Sequence, residues 1–202
     1  MPDDLLAGFP PIARGDARVL VLGSMPSEAS LRAGQYYAHR RNAFWPIMAA
    51  LFEFDPAAAY AERAAALAAA GVALWDVLGA CRRDGSLDTA IEPATMVVND
   101  FEAFFACHPK IARVFFNGGK AAELFRRRVP ATALPQGLRE TRRLPSTSPT
   151  NARLRFADKL AAWRVVAAAV AEEARTCPPS TCARSTCSPS TSSAQWSTGA
   201  AR

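Results

Sequence analysis

Val19-Leu20-Val21-Leu22, followed by Gly23-Ser24-Met25-Pro26-Ser27, decides the reading of the fold. A short apolar run closed by a Gly/Pro/Ser turn is a buried strand feeding a loop, and in open α/β sheets ligands collect at such strand ends. The strand is expected from Asp16 to Leu22, with a short helical turn from Ser27 to Arg32 beyond the loop. Further on, Tyr36, Tyr37, His39, Asn42, Phe44 and Trp45 crowd into one short stretch. Several rings and one amide suit a flat heterocycle.

Working outward, Phe44, Trp45, Met48, Leu51 and Phe52 recur at helical spacing behind Asn42, a residue suited to cap that helix. Asp55-Pro56 opens an alanine-rich helix to about Ala70. A second strand is expected over Val72–Leu78, then a polar loop from Cys81 to Ala90 containing Gly85-Ser86-Leu87-Asp88. Small polar residues there can hold phosphate oxygens or simply form a turn. Asn99-Asp100 begins a helix with Phe101, Phe104, Phe105 and His108 on one face, and Pro109 stops it. Ile111–Phe116 is the cleanest strand and runs into Asn117-Gly118-Gly119-Lys120 and another helix. That junction is not a nucleotide-hydrolysing phosphate loop, since Lys120 is followed by Ala121 instead of Ser or Thr. After Arg139, Arg142 and Arg143 comes the dense turn Leu144-Pro145-Ser146-Thr147-Ser148-Pro149-Thr150-Asn151. It leads into a long helix expected to pack through Phe156, Leu160, Trp163, Ala167 and Val170, with Arg155, Asp158, Lys159 and Arg164 on its polar face.

With 202 residues the chain suits one compact folded unit. No run of about 18 apolar residues is present to span a membrane, and the start, with Asp3 and Asp4, does not resemble a secretory leader, so a cytoplasmic location is expected. The 24 Lys and Arg against 18 Asp and Glu leave a net charge of +6, clustered at Arg40-Arg41, Arg126-Arg127-Arg128 and Arg139–Arg143, which fits a polyanionic partner. The five cysteines form no Cys-x-x-Cys pair, so neither a zinc ribbon nor a disulfide framework is indicated. Beyond Thr176 the composition collapses into Ser, Thr, Pro, Ala and Cys and predicts a disordered tail.

Strands alternating with helices define an α/β layer fold, in which the polar loops after Leu22, Phe116 and Leu144 gather at one edge of the sheet. Gly23-Ser24-Met25-Pro26-Ser27, Tyr37-Ala38-His39 through Asn42-Ala43-Phe44-Trp45, Phe115-Phe116-Asn117-Gly118 and Leu144–Asn151 together resemble the uracil-DNA glycosylase superfamily, in particular its hypoxanthine-DNA glycosylase branch. The mismatch-specific uracil glycosylases share a similar Ala-His-x-x-Asn-x-Phe-Trp stretch, but carry an asparagine where Ser24-Met25 stand here.

The resemblance implies a three-layer sandwich with a central, mostly parallel four-stranded sheet flanked by helices. It implies a lead-in over 1–13, a catalytic domain over 14–172 and a tail over 173–202 outside it. It implies hydrolysis of the N-glycosidic bond of a deaminated base in duplex or single-stranded DNA, hypoxanthine first. The enzyme is expected to be a cytoplasmic monomer with no cofactor, metal, cluster or lyase chemistry.

Asn42 is then the residue that orients water, because Ser24 replaces the polar residue relatives use, and the Asn117 carboxamide pairs with the lactam edge of the base. Tyr37 stacks on the base with Phe44 behind it, while Ser24, Met25 and His39 are further base-pocket candidates. His39 is assigned either structural hydrogen bonding or contact with DNA or leaving base. Ser27, Ser146, Thr147, Ser148 and Asn151 are expected to grip DNA phosphates, and Leu144 to wedge the duplex. The competing readings are a uracil or thymine mismatch glycosylase, a catalytically silent lesion-binding module and a binder of small nucleotides.

Overall fold

The computed structural model of the chain describes residues 5–176, so the expected tail lies almost wholly outside the described residues. Its centre is a four-stranded sheet built from β2 (Val19–Gly23), β3 (Val72–Asp76), β6 (Arg113–Asn117) and β7 (Glu140–Leu144). The order is β3-β2-β6-β7 and every pairing is parallel. Val19 to Leu22 of the inner strand β2 are wholly buried, as a parallel strand covered on both faces requires. Helices α1 (Glu28–Ala33), α2 (Phe44–Phe52), α3 (Tyr60–Ala69), α4 (Phe101–Cys107), α5 (Gly119–Arg128) and α6 (Phe156–Thr176) complete the layers.

A second, antiparallel sheet in the order β1-β4-β5 joins β1 (Leu6–Ala7), β4 (Leu78–Cys81) and β5 (Val97–Val98). It divides what the sequence presents as one strand. The run Val72–Leu78 stays in the central sheet to Asp76, then Val77 and Leu78 donate backbone N–H bonds to the carbonyls of Gly23 and Ser24 at 2.9 and 3.0 Å. From Leu78 the chain pairs in the other sheet. The break therefore locks the turn after β2. The outer side of β3 is covered where Ile12 exchanges both backbone hydrogen bonds with Leu74, which removes an open sheet edge.

Other elements depart from expectation for local reasons. α3 begins at Tyr60 instead of Pro56, because the Asp55 carboxylate accepts the Ala57 N–H and holds a turn there. β7 was not anticipated: Glu140, Thr141, Arg142 and Arg143 are polar, as suits an outer strand. The buried stripe of α6 is rotated from the expected face, running through Lys159, Trp163, Val166, Ala169 and Glu173, while Phe156 is 47% exposed. Both buried charges have partners. Lys159 Nζ donates to the Ser148 carbonyl at 3.2 Å, and Glu173 accepts from Arg113 Nε at 3.0 Å. α4 and its Asp100 cap follow expectation, and His108 ends that helix with Nδ1 2.7 Å from the Phe104 carbonyl oxygen. None of the described helices is long and apolar enough to cross a membrane.

Candidate active site

The C-terminal ends of the parallel strands carry a cleft, where the topology of such sheets directs ligands. Gly23 and the loop to Ser27 form one wall, Asn117 and Ser146–Ser148 another, and Tyr37 and Asn42 enter from the segment before α2. Asp76, Ser86 and Asp88 complete the lining.

The two carboxamides lie in this one cleft, and Thr147 links them. Asn117 Nδ2 donates to Thr147 Oγ1 at 2.8 Å, and Asn117 Oδ1 accepts the Thr147 backbone N–H at 2.8 Å. A backbone N–H can only donate, so this contact fixes which end of the Asn117 amide is oxygen. One Nδ2 hydrogen and one Oδ1 lone pair remain. The Thr147 carbonyl in turn accepts the Ala43 N–H at 3.0 Å, next to Asn42. Asn42 Oδ1 accepts the Phe44 N–H at 3.0 Å, so the amide braces the start of α2 from one residue outside the Ala43 cap position. Its orientation is thereby set as well.

Gly118, at φ 103° in a conformation that favours glycine, turns the chain from Asn117 into α5. A β-carbon there would lie 3.1 Å from the Ser146 Cβ, so its absence also lets the two loops meet.

Tyr37 has φ 54°, a left-handed conformation rare outside glycine and costing about 1 kcal/mol or more. Its ring stacks on Phe44 with centroids 4.2 Å apart and planes 28° from parallel. Its hydroxyl is buried without a hydrogen-bond partner among the described residues. Burial, reinforced by the Asp76 charge, pushes its pKa well above the ordinary phenol value, with the nearby Asn117 amide opposing. Tyr36 and Trp45 belong to the core instead: Trp45 Nε1 donates to the Tyr36 carbonyl at 2.8 Å.

Two carboxyl groups that the sequence did not single out enter the cleft. Asp76, at the end of β3, is 3% exposed, and its Oδ2 has no hydrogen-bond partner among the described residues. Burial, then the charge of Asp88, pushes its pKa up to about 8, against the pull of Arg83. The signal for it was one acid inside an otherwise apolar strand. Asp88 Oδ1 accepts a 2.8 Å hydrogen bond from Ser24 Oγ. Burial pushes its pKa up too, while Ser24, Arg83 and Lys120 hold it down. Arg83 clasps the two loops, donating from Nη2 to the Pro26 carbonyl and from Nε to that of Gly85 at 2.6 and 2.9 Å.

The raised pKa of Asp76 has a stability consequence with a definite sign. From about pH 4 upward the unfolded chain ionises this group while the folded one keeps its proton, so its contribution to stability declines until about pH 8 and then levels off. Asp76→Asn is expected to remove that decline, so that the variant gains on the parent by up to about 1.4 kcal/mol per pH unit across the window and stands a few kcal/mol further ahead at pH 8 than at pH 5. Urea unfolding at the two pH values measures this, and equal differences at both would contradict it.

Of the anticipated residues, Ser24, Met25, Ser27, Tyr37, Asn42, Asn117, Ser146, Thr147 and Ser148 line the cleft. Phe44 lies wholly buried behind Tyr37. Four have different surroundings. Leu144 is 3% exposed at the end of β7, which favours a nearby residue for the wedge. Thr147 is wholly buried, its hydroxyl engaged by Asn117, so it positions that amide instead of gripping phosphate. His39 lies outside the cleft beside Arg40 and Arg41 and accepts the Arg41 N–H on Nδ1, the structural hydrogen bonding that was one of its two assignments. Asn151 is also outside, bracing the turn by donating to the Ser146 carbonyl at 3.2 Å.

The sequence behind this cleft defines its class: residues 10–167 match the model of the uracil DNA glycosylase superfamily, and the chain belongs to it. Among its relatives, a protein of Methanosarcina acetivorans named hypoxanthine DNA glycosylase is 36% identical over 148 residues, 72% of this chain and 88% of the relative. One of the same name from Methanosarcina barkeri is 36% identical over 117 residues, 57% of this chain and 73% of the relative. The solution NMR structure of a Methanosarcina acetivorans protein described as a candidate uracil DNA glycosylase superposes with a TM-score of 0.64 at 32% identity, covering 80% of this chain and 98% of that one.

Proposed function

We propose that this enzyme hydrolyses the N-glycosidic bond of deoxyinosine in DNA and releases hypoxanthine. The observation that carries the reading is the pair of carboxamides, Asn42 and Asn117, in one cleft with Thr147 between them. The names of the Methanosarcina relatives support the choice of base.

The target nucleotide must leave the stack to be reached, at a cost of a few kcal/mol that a mispaired base reduces. Its base then lies on the Tyr37 ring, which Phe44 backs. Thr147 occupies the edge of the Asn117 amide that presents donor and acceptor side by side, so the expected pair of base contacts reduces to one, in which the remaining Nδ2 hydrogen donates to O6. Adenine presents the opposite polarity on that edge, and with the amide held by Thr147 the site cannot turn over to suit it. Asn42 holds water for attack on C1′ as the bond to the base opens toward an oxocarbenium-like sugar. Ser146 and Ser148 grip the flanking phosphates. The exposed Leu87, between the cleft-lining Ser86 and Asp88, is the side chain suited to fill the vacated stack. Among the described residues no lysine lines the cleft, which supports simple hydrolysis without a Schiff base. A monomer acting on duplex DNA in the cytoplasm fits this scheme.

A panel of single- and double-stranded oligonucleotides bearing inosine, uracil or an undamaged base tests the reading. Free hypoxanthine from the inosine duplex, faster than uracil from its counterpart, is the expected outcome. Release of uracil alone would move the assignment to a uracil glycosylase, and tight, salt-sensitive binding without release would make the protein a lesion-binding module.

A further inference from the structure

An amide can orient water but cannot take its proton, so the cleft described above leaves one step without an acceptor. We propose that Asp88, held by Ser24, supplies it: its carboxylate stabilises the cationic sugar and receives the proton of the attacking water. This rests on the glycosylase reading and extends it.

The geometry singles out Asp88. Ser24 directly follows the end of β2, and its hydroxyl donates to Asp88 Oδ1 across 64 positions of sequence at 2.8 Å. One carboxylate oxygen is thus fixed, leaving Oδ2 for the reaction. The side chain is half-buried and lines the same cleft as Asn42 and Tyr37. The contact also answers the departure noted in the first motif, where a serine stands in place of the polar residue of relatives. Here the serine carries no charge itself but holds one brought in by another loop, which Arg83 ties down through the Pro26 carbonyl.

The groups facing Asp88 set its ionisation. Asp76 comes from the end of β3, Tyr37 from the segment before α2, Arg83 from beyond β4 and Lys120 from the start of α5. Burial and then the Asp88 charge hold Asp76 in its neutral form, whereas Ser24, Arg83 and Lys120 favour the Asp88 carboxylate against its own partial burial. The pair therefore loses its first proton from Asp88 and keeps the second on the buried Asp76, two carboxyl groups driven apart by their surroundings. In the reaction the C1′–N9 bond breaks and its electron pair leaves with the base, which takes a proton from solvent. Water oxygen bonds to C1′, its proton passes to Asp88 Oδ2 and then to solvent. The products are free hypoxanthine and a sugar bearing hydroxyl at C1′.

The test uses the full chain and its Asp88→Asn and Ser24→Ala variants. In binding assays, a duplex carrying a pyrrolidine in place of the sugar, cationic at the C1′ position, is compared with one carrying neutral tetrahydrofuran. The parent is expected to prefer the cation about tenfold, a difference of about 1.4 kcal/mol, and Asp88→Asn to lose the preference. In single-turnover assays, hypoxanthine release by the parent rises with pH as Asp88 ionises, above the usual carboxylate range. Ser24→Ala shifts that rise to higher pH, because the lost hydrogen bond favoured the charged form. Asp88→Asn abolishes the rise and slows release about 100-fold. An undiminished cation preference in Asp88→Asn, or a rise unmoved by both substitutions, overturns the proposal. If Asp88→Asn fails to fold, the shift in Ser24→Ala decides. If the parent releases no base, the glycosylase reading falls, while the pyrrolidine comparison still decides the role of Asp88.

Discussion

Asn42→Ala lowers the single-turnover rate of hypoxanthine release about 100- to 1,000-fold, the loss expected when one preorganised polar group is removed from the reacting centre. The effect falls on the chemical step. Asn42 lines the cleft, but the stacking ring of Tyr37, the Asn117–Thr147 pair and the loop serines are all independent of its side chain. Affinity for an inosine duplex should therefore change by less than about fivefold, well under 1.4 kcal/mol. Stability should fall by about 1 kcal/mol, because the Oδ1 bond to the Phe44 N–H braces the first turn of α2. A variant that loses binding and rate in equal proportion would show that Asn42 holds the base instead of the water.

Gly23→Ala has the largest expected effect on the architecture of the site. A β-carbon on Gly23 would stand 2.1 Å from Asp76 Oδ1 and 2.9 Å from the Tyr37 hydroxyl. Neither neighbour yields easily. Asp76 has a short, buried side chain at a paired strand end, opposite Gly23 in the register, and Tyr37 is stacked on Phe44. Such overpacking costs about 1–3 kcal/mol and displaces the ring on which the base lies. The melting temperature should drop by roughly 3 to 10 °C, and release should fall to background. Adding Asp76→Ala removes the closer obstacle, so the double variant should be less destabilised than the two single losses together. Simple additivity would mean that the Gly23–Asp76 contact is not what makes glycine necessary.

The sheet was legible where burial dictates composition. β2 and β6 lie inside a parallel sheet and read as apolar runs, and the caps and turns around α1 and α4 carry ordinary local signals. β7 was hidden for the opposite reason, since its outer position lets Glu140, Arg142 and Arg143 face water. The run Val72–Leu78 gave no hint of its division, because both parts are apolar and only the carbonyls of Gly23 and Ser24 redirect the chain between them. On α6, periodicity favoured hydrocarbon, whereas Lys159 and Glu173 are buried because Ser148 and Arg113 pair with them.

The candidate site divides along the same line. Asn42, Asn117 and Tyr37 stand in recognisable local motifs, so the sequence named them. Asp76 and Asp88 acquire meaning only from spatial neighbours: Gly23 beside one and Ser24 beside the other, each supplied by a distant strand end. The burial of Leu144 was hidden because only its register opposite Asn117, on a strand the sequence did not show, sets it.

The central claim is that this cleft breaks a glycosidic bond. Its most direct measurement is identification of the products formed from a duplex with one inosine opposite thymine. Mass spectrometry should find free hypoxanthine and, in equal amount, an unbroken strand bearing an abasic sugar, with neither formed by Asn42→Ala over the same interval. Intact inosine strand after many hours with excess folded protein would contradict the account.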